Sequence, residues 1–183
     1  MFEDIYDIFK LEMDGEEFDT DDDAVLASNL AMRDILDDRD WRFLSKTTTL
    51  SAGTLSLASI TDLDKVTNIY VANREVPLAK ATLDQRYDSS YDYYIDIISN
   101  TVVLINNDLV NTDLIIEYKY RPDDLTLTNN PLATQTQNRL KKVIAYAMTL
   151  TFYDKDQDLS VYTQLRTKYE DSLDRLIAYN ESI

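Results

Sequence analysis

The chain has 183 residues, 44% apolar and 28% charged, which is enough apolar material for a folded core in one domain or in one domain carrying an insertion. Its formal charge of −16 argues against nonspecific nucleic-acid affinity, which comes from Lys and Arg displacing phosphate counterions. Without cysteine or histidine, and with two glycines, it excludes disulfides, thiolate and imidazole catalysis, the usual zinc and haem ligands, and the bare-backbone turns of P-loop and dinucleotide-binding proteins.

Residues 1–40 read as an acidic helical part. They hold 15 Asp and Glu against 3 Lys and Arg, whereas residues 41–183 hold 19 against 15. The spacing of Ile5, Ile8, Phe9 and Met13 predicts a short amphipathic helix, broken at Gly15. The run Asp21-Asp22-Asp23 offers N-cap carboxylates for a second helix over 24–37, whose apolar stripe comprises Val25, Leu26, Leu30, Met32, Ile35 and Leu36. The first residues have neither a basic nor an apolar leader pattern, and no stretch approaches the ~20 apolar residues that span a bilayer. The expectation is therefore synthesis in the cytoplasm without membrane association.

Residues 41–122 read as a β-rich insertion. Thr47-Thr48-Thr49, Leu55 with Leu57, Ile69 with Val71, 91–98 and 102–105 are β-branched or aromatic runs divided by turn residues. The clearest strand is 113–120, where Leu114, Ile116, Tyr118 and Tyr120 share one face and Glu117, Lys119 and Arg121 the other. Asn106-Asn107 suits a turn that would join the last two strands as an antiparallel hairpin, because Asn tolerates positive φ.

Residues 131–181 read as a C-terminal helical hairpin. Asn130-Pro131 is a suitable helix start, and Leu140, Ile144, Ala147, Met148 and Thr151 recur at three and four. A last helix from about residue 159 keeps the same period through Val161, Tyr162, Leu165, Tyr169, Leu173, Leu176 and Ile177. The expected fold class is α+β, mainly helical: a helical bundle with an antiparallel β insertion between its second helix and a C-terminal helical hairpin, in a single domain over 1–183.

Little chemistry is left to the chain. Asp19, Asp21, Asp22 and Asp23 have the residue type for a hard cation, but the simpler reading is a solvated helix start. Asp154, Asp156 and Asp158 imitate the opening of a calcium loop, yet Leu159 stands where that loop needs Gly and Leu165 where it needs a bidentate carboxylate. Paired carboxylates for glycoside hydrolysis discriminate nothing in so acidic a chain. No cofactor, metal or catalytic residue is expected. The 13 tyrosines suit core rings with hydroxyls at a wet rim, and also protein–protein contacts.

One order of features is more specific. An acidic helical start closes at Asp40-Trp41; a Thr-rich run and a β insertion follow; then come Tyr118-Lys119-Tyr120-Arg121-Pro122, Asp123-Asp124-Leu125, Asn130-Pro131 and a helical hairpin. This order resembles that of bacteriophage head-to-tail adaptor (connector) proteins of the podovirus portal-adaptor type, over nearly the whole chain. Few glycines and a very acidic first 40 residues depart from the usual pattern.

The resemblance implies a structural virion protein, assembled in the host cytoplasm. It would form a dodecameric ring that joins the portal protein to tail or neck proteins and continues the DNA channel, with no sequence-specific DNA contact. On that reading Tyr162, Tyr169, Leu176, Ile177 and Tyr179 of the last helix are candidate interface residues. Asp19, Asp21, Asp22 and Asp23 are a candidate acidic channel wall, which would repel phosphate and let the duplex slide, or else a solvated outer face. The alternatives are another phage neck or tail-completion protein, and an acidic DNA-mimic inhibitor, which should spread acid along its whole length.

Overall fold

The computed structural model describes residues 1–72, 74–129, 132–153 and 158–183. Four α-helices and five strands occur among them, and the fold is α+β, mainly helical, with a C-terminal helical hairpin. Two compact units are present: a helical unit of Met1–Phe43 with Pro122–Ile183, and a β unit, Leu44–Arg121, inserted in it. The β excursion thus begins and ends close to the limits read from apolar periodicity.

Helix α1, Phe2–Glu12, buries Phe2, Ile5 and Phe9. It ends with Asp14 in the left-handed region (φ 54°) and Gly15 at φ 86°, and the Gly15 N–H donates to the Lys10 carbonyl at 2.8 Å, so an otherwise orphaned helix-end acceptor is paired. Helix α2, Asp21–Asp37, is capped by Thr20 rather than by an aspartate: the Thr20 Oγ1 accepts the Asp23 N–H at 3.2 Å. Asp21, Asp22 and Asp23 occupy the first turn, where carboxylates favour the helix dipole.

The stripe that α2 buries differs from the expected one. It consists of Ala24, Ser28, Asn29, Ala31, Met32 and Ile35, while Leu26 and Leu30 are 59% and 53% exposed. Two polar residues inside the stripe are satisfied: Ser28 donates to the Ala24 carbonyl, and Asn29 bonds the backbone of Leu125. Trp41, 1% exposed, folds back so that its indole N–H donates to the Ile35 carbonyl at 2.9 Å, pairing another helix-end acceptor.

Helix α3, Thr134–Phe152, follows Ala133 in the N-cap position, so it opens after the Asn130-Pro131 pair expected to start it; that pair lies outside the described residues. It is the central element of the unit, with Leu140, Val143, Ile144, Ala145 and Met148 buried. Helix α4, Leu159–Ser182, is capped by Asp158, which accepts from the Ser160 and Val161 N–H groups. Asp158 is therefore a helix cap; Asp154 and Asp156 of the calcium-like sequence lie outside the described residues.

The β unit holds a three-stranded antiparallel sheet and a separate hairpin. Strand β1, Ser45–Leu50, and strand β2, Leu63–Val71, flank β5, Leu114–Tyr120, in the order β1-β5-β2. In β5 the expected alternation holds, with Leu114, Ile116 and Tyr118 buried on one face. They pack with Ile69, Leu57, Val102 and Tyr93 in one core. Strands β3, Tyr93–Asp96, and β4, Thr101–Leu104, pair with each other. Leu55 and Leu57 form no strand; Leu57 sits in a 3₁₀ turn, Leu57–Ser59.

The hairpin expected across Asn106-Asn107 does not form. Asn106 has φ −82° and its side chain caps a 3₁₀ turn, Asn107–Leu109, by accepting the Asp108 N–H. This local side-chain bond competes with a two-residue turn, and β5 leaves β4 to lie between β1 and β2. The left-handed Asn is Asn100 (φ 50°), between β3 and β4.

Candidate functional site

The five candidate interface residues of α4 divide in two. Leu176 is fully buried, so it belongs to the core of the helical unit and is no docking residue. Its position in a period shared with half-exposed tyrosines could not reveal this, because the period fixes a face and not the depth of burial. Tyr162, Tyr169, Ile177 and Tyr179 are half-buried. Tyr179 stacks on Phe43 with ring centroids 6.5 Å apart, and the Arg139 guanidinium lies 4.6 Å over its ring.

Tyr169 instead lines a groove of about 510 Å³ formed by α2, α3 and α4. Ala27, Ala31 and Ala147 keep its floor low, since none has a side chain long enough to fill the space. Leu30, Leu150, Phe152 and Leu173 supply apolar walls, and Asp34 and Asp38 stand at the α2 side. Partial burial, followed by the nearby Asp38 carboxylate, raises the Tyr169 pKa above that of an ordinary phenol. Phe152 is 52% exposed, although its edge packs on the Phe18 ring at 4.8 Å. Sequence periodicity assigns Leu30 to the core and passes over Phe152; both line the groove between the three helices.

Asp19, Asp21, Asp22 and Asp23 are all exposed and lie together at the start of α2. The described residues contain no group of three or more acidic side chains arranged to hold a metal ion. The helical unit carries 24 Asp and Glu against 11 Lys and Arg; the β unit carries 10 against 7. Acid is thus concentrated on one unit rather than spread along the chain.

The β unit has two ionisable clusters, both arranged for structure. Lys46 Nζ lies 2.5 Å from Asp62 Oδ2 and 3.9 Å over the Tyr120 ring, and the Tyr118 hydroxyl donates to Asp62 Oδ1 at 3.2 Å. The hydrogen bond from Lys46 holds the Asp62 carboxyl below its ordinary pKa, and the same bond raises that of Lys46. Both shifts favour the ionised pair, the reverse of what a general base or an amine nucleophile needs. In the second cluster Glu117 Oε2 accepts from Asn68 Nδ2 at 2.8 Å and from the Tyr70 hydroxyl at 3.1 Å.

Of the 13 tyrosines, Tyr93 and Tyr118 are buried, Tyr87 is 84% exposed, and the other ten are half-buried, the distribution of core rings with hydroxyls at the rim. Between β3 and β4, Ile97 and Ile98 are 89% and 99% exposed. Their loop is shaped by Asp96, which accepts from the Ile98 N–H and the Ser99 hydroxyl. Among the described residues, no helix is long and apolar enough to cross a membrane. No protein-family model matches the chain, and no curated protein matches it.

Proposed function

We propose that the chain is a non-catalytic structural protein of a tailed phage: the adaptor subunit of a ring that joins the portal to the tail and continues the DNA channel. The observation that carries this reading is the insertion of a β unit, Leu44–Arg121, between α2 and the α3–α4 hairpin, the arrangement that the resemblance implies. In the β unit the Lys46–Asp62 pair, whose shifts favour the two ionised forms, is suited to holding structure rather than to moving a proton. The exposed apolar groove between α2, α3 and α4, and the exposed Ile97 and Ile98, supply surfaces suited to protein partners.

In such a ring the exposed Asp19, Asp21, Asp22 and Asp23 have two places open to them: the channel wall, where they would repel phosphate so that a duplex passes without adhering, or a face turned away from the channel. The concentration of acid on the helical unit counts against a DNA mimic, which needs carboxylates spaced along its length.

Negative-stain imaging of the chain with the portal protein encoded in the same genome tests the reading. A ring seated on the portal is expected. A chain that ignores the portal and instead binds a basic nuclease would overturn the adaptor in favour of mimicry. In a resolved ring, Asp19, Asp21, Asp22 and Asp23 pointing away from the channel would remove the sliding role alone.

A further inference from the structure

We propose that a basic cleft between the first half of α3 and the second half of α4 is a subunit-docking site, and that its occupant is the acidic start of α2 of a second copy of this chain. This rests on the ring reading above, names the contact that would build the ring, and places the four aspartates between subunits rather than on the channel wall. The cleft, about 170 Å³, is lined by Asn138, Arg139 and Lys142 of α3 and by Ser172 and Arg175 of α4. Its three cations are exposed, and none has a carboxylate within 4.0 Å among the described residues.

That is unusual for this unit, where acid outnumbers base 24 to 11. Lys10, Arg33, Arg39, Lys141, Arg166 and Lys168 each have an acidic partner. Three like charges converging without one repel each other, and an anionic partner would relieve that repulsion. Arg139 is also positioned in advance, its guanidinium held over the Tyr179 ring at 4.6 Å.

The complementary surface lies on the same unit. Asp19, Asp21, Asp22 and Asp23 are exposed, and none of the four forms an ion pair among the described residues. An unpaired cationic set and an unpaired anionic set that do not meet within one molecule can meet between two. Such a contact is head-to-tail, so it closes into a ring or propagates as a filament. A nucleic-acid phosphate offers the cleft the same chemistry, but the net charge of −16 repels a duplex.

The test is sedimentation velocity on the full chain over a concentration series at low and high salt, with circular dichroism to verify folding. Wild type is expected to associate, less so in high salt, because surface charge contacts are screened beyond ~8 Å at physiological ionic strength. R139E/K142E and D19K/D21K/D22K should each weaken association about tenfold or more. Their equimolar mixture should recover it, since every cleft and patch then meets an opposite charge in alternating order.

A wild-type chain that stays monomeric throughout overturns the contact, as does association indifferent to both variants or not recovered by mixing. Capture of a short DNA duplex by wild type but not by R139E/K142E overturns it in favour of phosphate. Rings that R139E/K142E still forms on the portal overturn the contact and leave the adaptor reading standing. Failure of wild type to engage the portal counts against the adaptor reading instead.

Discussion

The side-chain amide of Asn29, on α2, closes a two-bond clamp on the backbone of Leu125: its Nδ2 donates to the Leu125 carbonyl at 3.0 Å and its Oδ1 accepts the Leu125 N–H at 2.7 Å. Both residues are buried, and beside them Arg33 Nη2 lies 2.7 Å from both carboxylate oxygens of Asp124. The segment that re-enters the helical unit after β5 is thereby tied to α2 through its main chain.

Asn29→Ala leaves a buried N–H and a buried carbonyl without partners, each costing about 1–3 kcal/mol. The expected loss is about 2–4 kcal/mol in urea denaturation. Arg33→Ala, which removes an exposed ion pair, should cost under about 1 kcal/mol by the same measurement. Equal losses would mean that the clamp is not what holds residues 123–125.

Leu176 and Tyr162 lie on one helix and should behave oppositely. Leu176→Ala empties a fully buried site and is expected to cost about 2–5 kcal/mol. Tyr162→Ala, at a half-buried position, should cost far less while weakening portal engagement. Thermal denaturation followed by circular dichroism, beside a portal-binding assay, separates the two effects. Loss of binding without loss of stability in Leu176→Ala would contradict its place in the core.

The Lys46–Asp62 pair predicts a pH window. The folded pKa of Asp62 is lowered, so its contribution is present above the unfolded carboxylate value of about 3.9 and is lost as pH falls through the folded value. That of Lys46 is raised, so its contribution is present below about 10.4 and is lost as pH rises through the folded value. Stability curves of wild type and Asp62→Asn should therefore be furthest apart at neutral pH and converge toward the acid end. Because the pair is 46% and 33% exposed, the gap should stay within about 1 kcal/mol and narrow in salt.

Tyr93 carries an alkaline transition. Burial pushes its pKa up to about 12. Between the unfolded value of about 10 and that value the unfolded chain has lost the proton while the folded chain keeps it, so stability falls as pH rises through this range. Tyr93→Phe should remove that part of the alkaline loss in denaturation curves. It should also remove the last-ionising phenol from an absorbance titration. A transition unchanged in Tyr93→Phe would assign it to another group.

What the amino-acid sequence determined by itself is what depends on local period and on composition. The change from helical to alternating spacing located the β unit to within a few residues. Alternation along Leu114, Ile116 and Tyr118 chose the buried face of β5, and the acids of residues 1–40 located most of the charge. These follow from backbone geometry, which sets a period of 3.6 or 2 whatever the partner.

Tertiary structure alone decided which strands flank β5, because strand pairing joins residues far apart in the chain and one alternating face fits several neighbours. It also decided that Asn29 is buried, that Leu30 is exposed beside a trough of alanines, that Leu176 is core, and that Arg139, Lys142 and Arg175 converge with no acidic partner among the described residues. Each depends on the distance between helices rather than on the face of one, and that distance is set by packing against residues the local sequence does not contain.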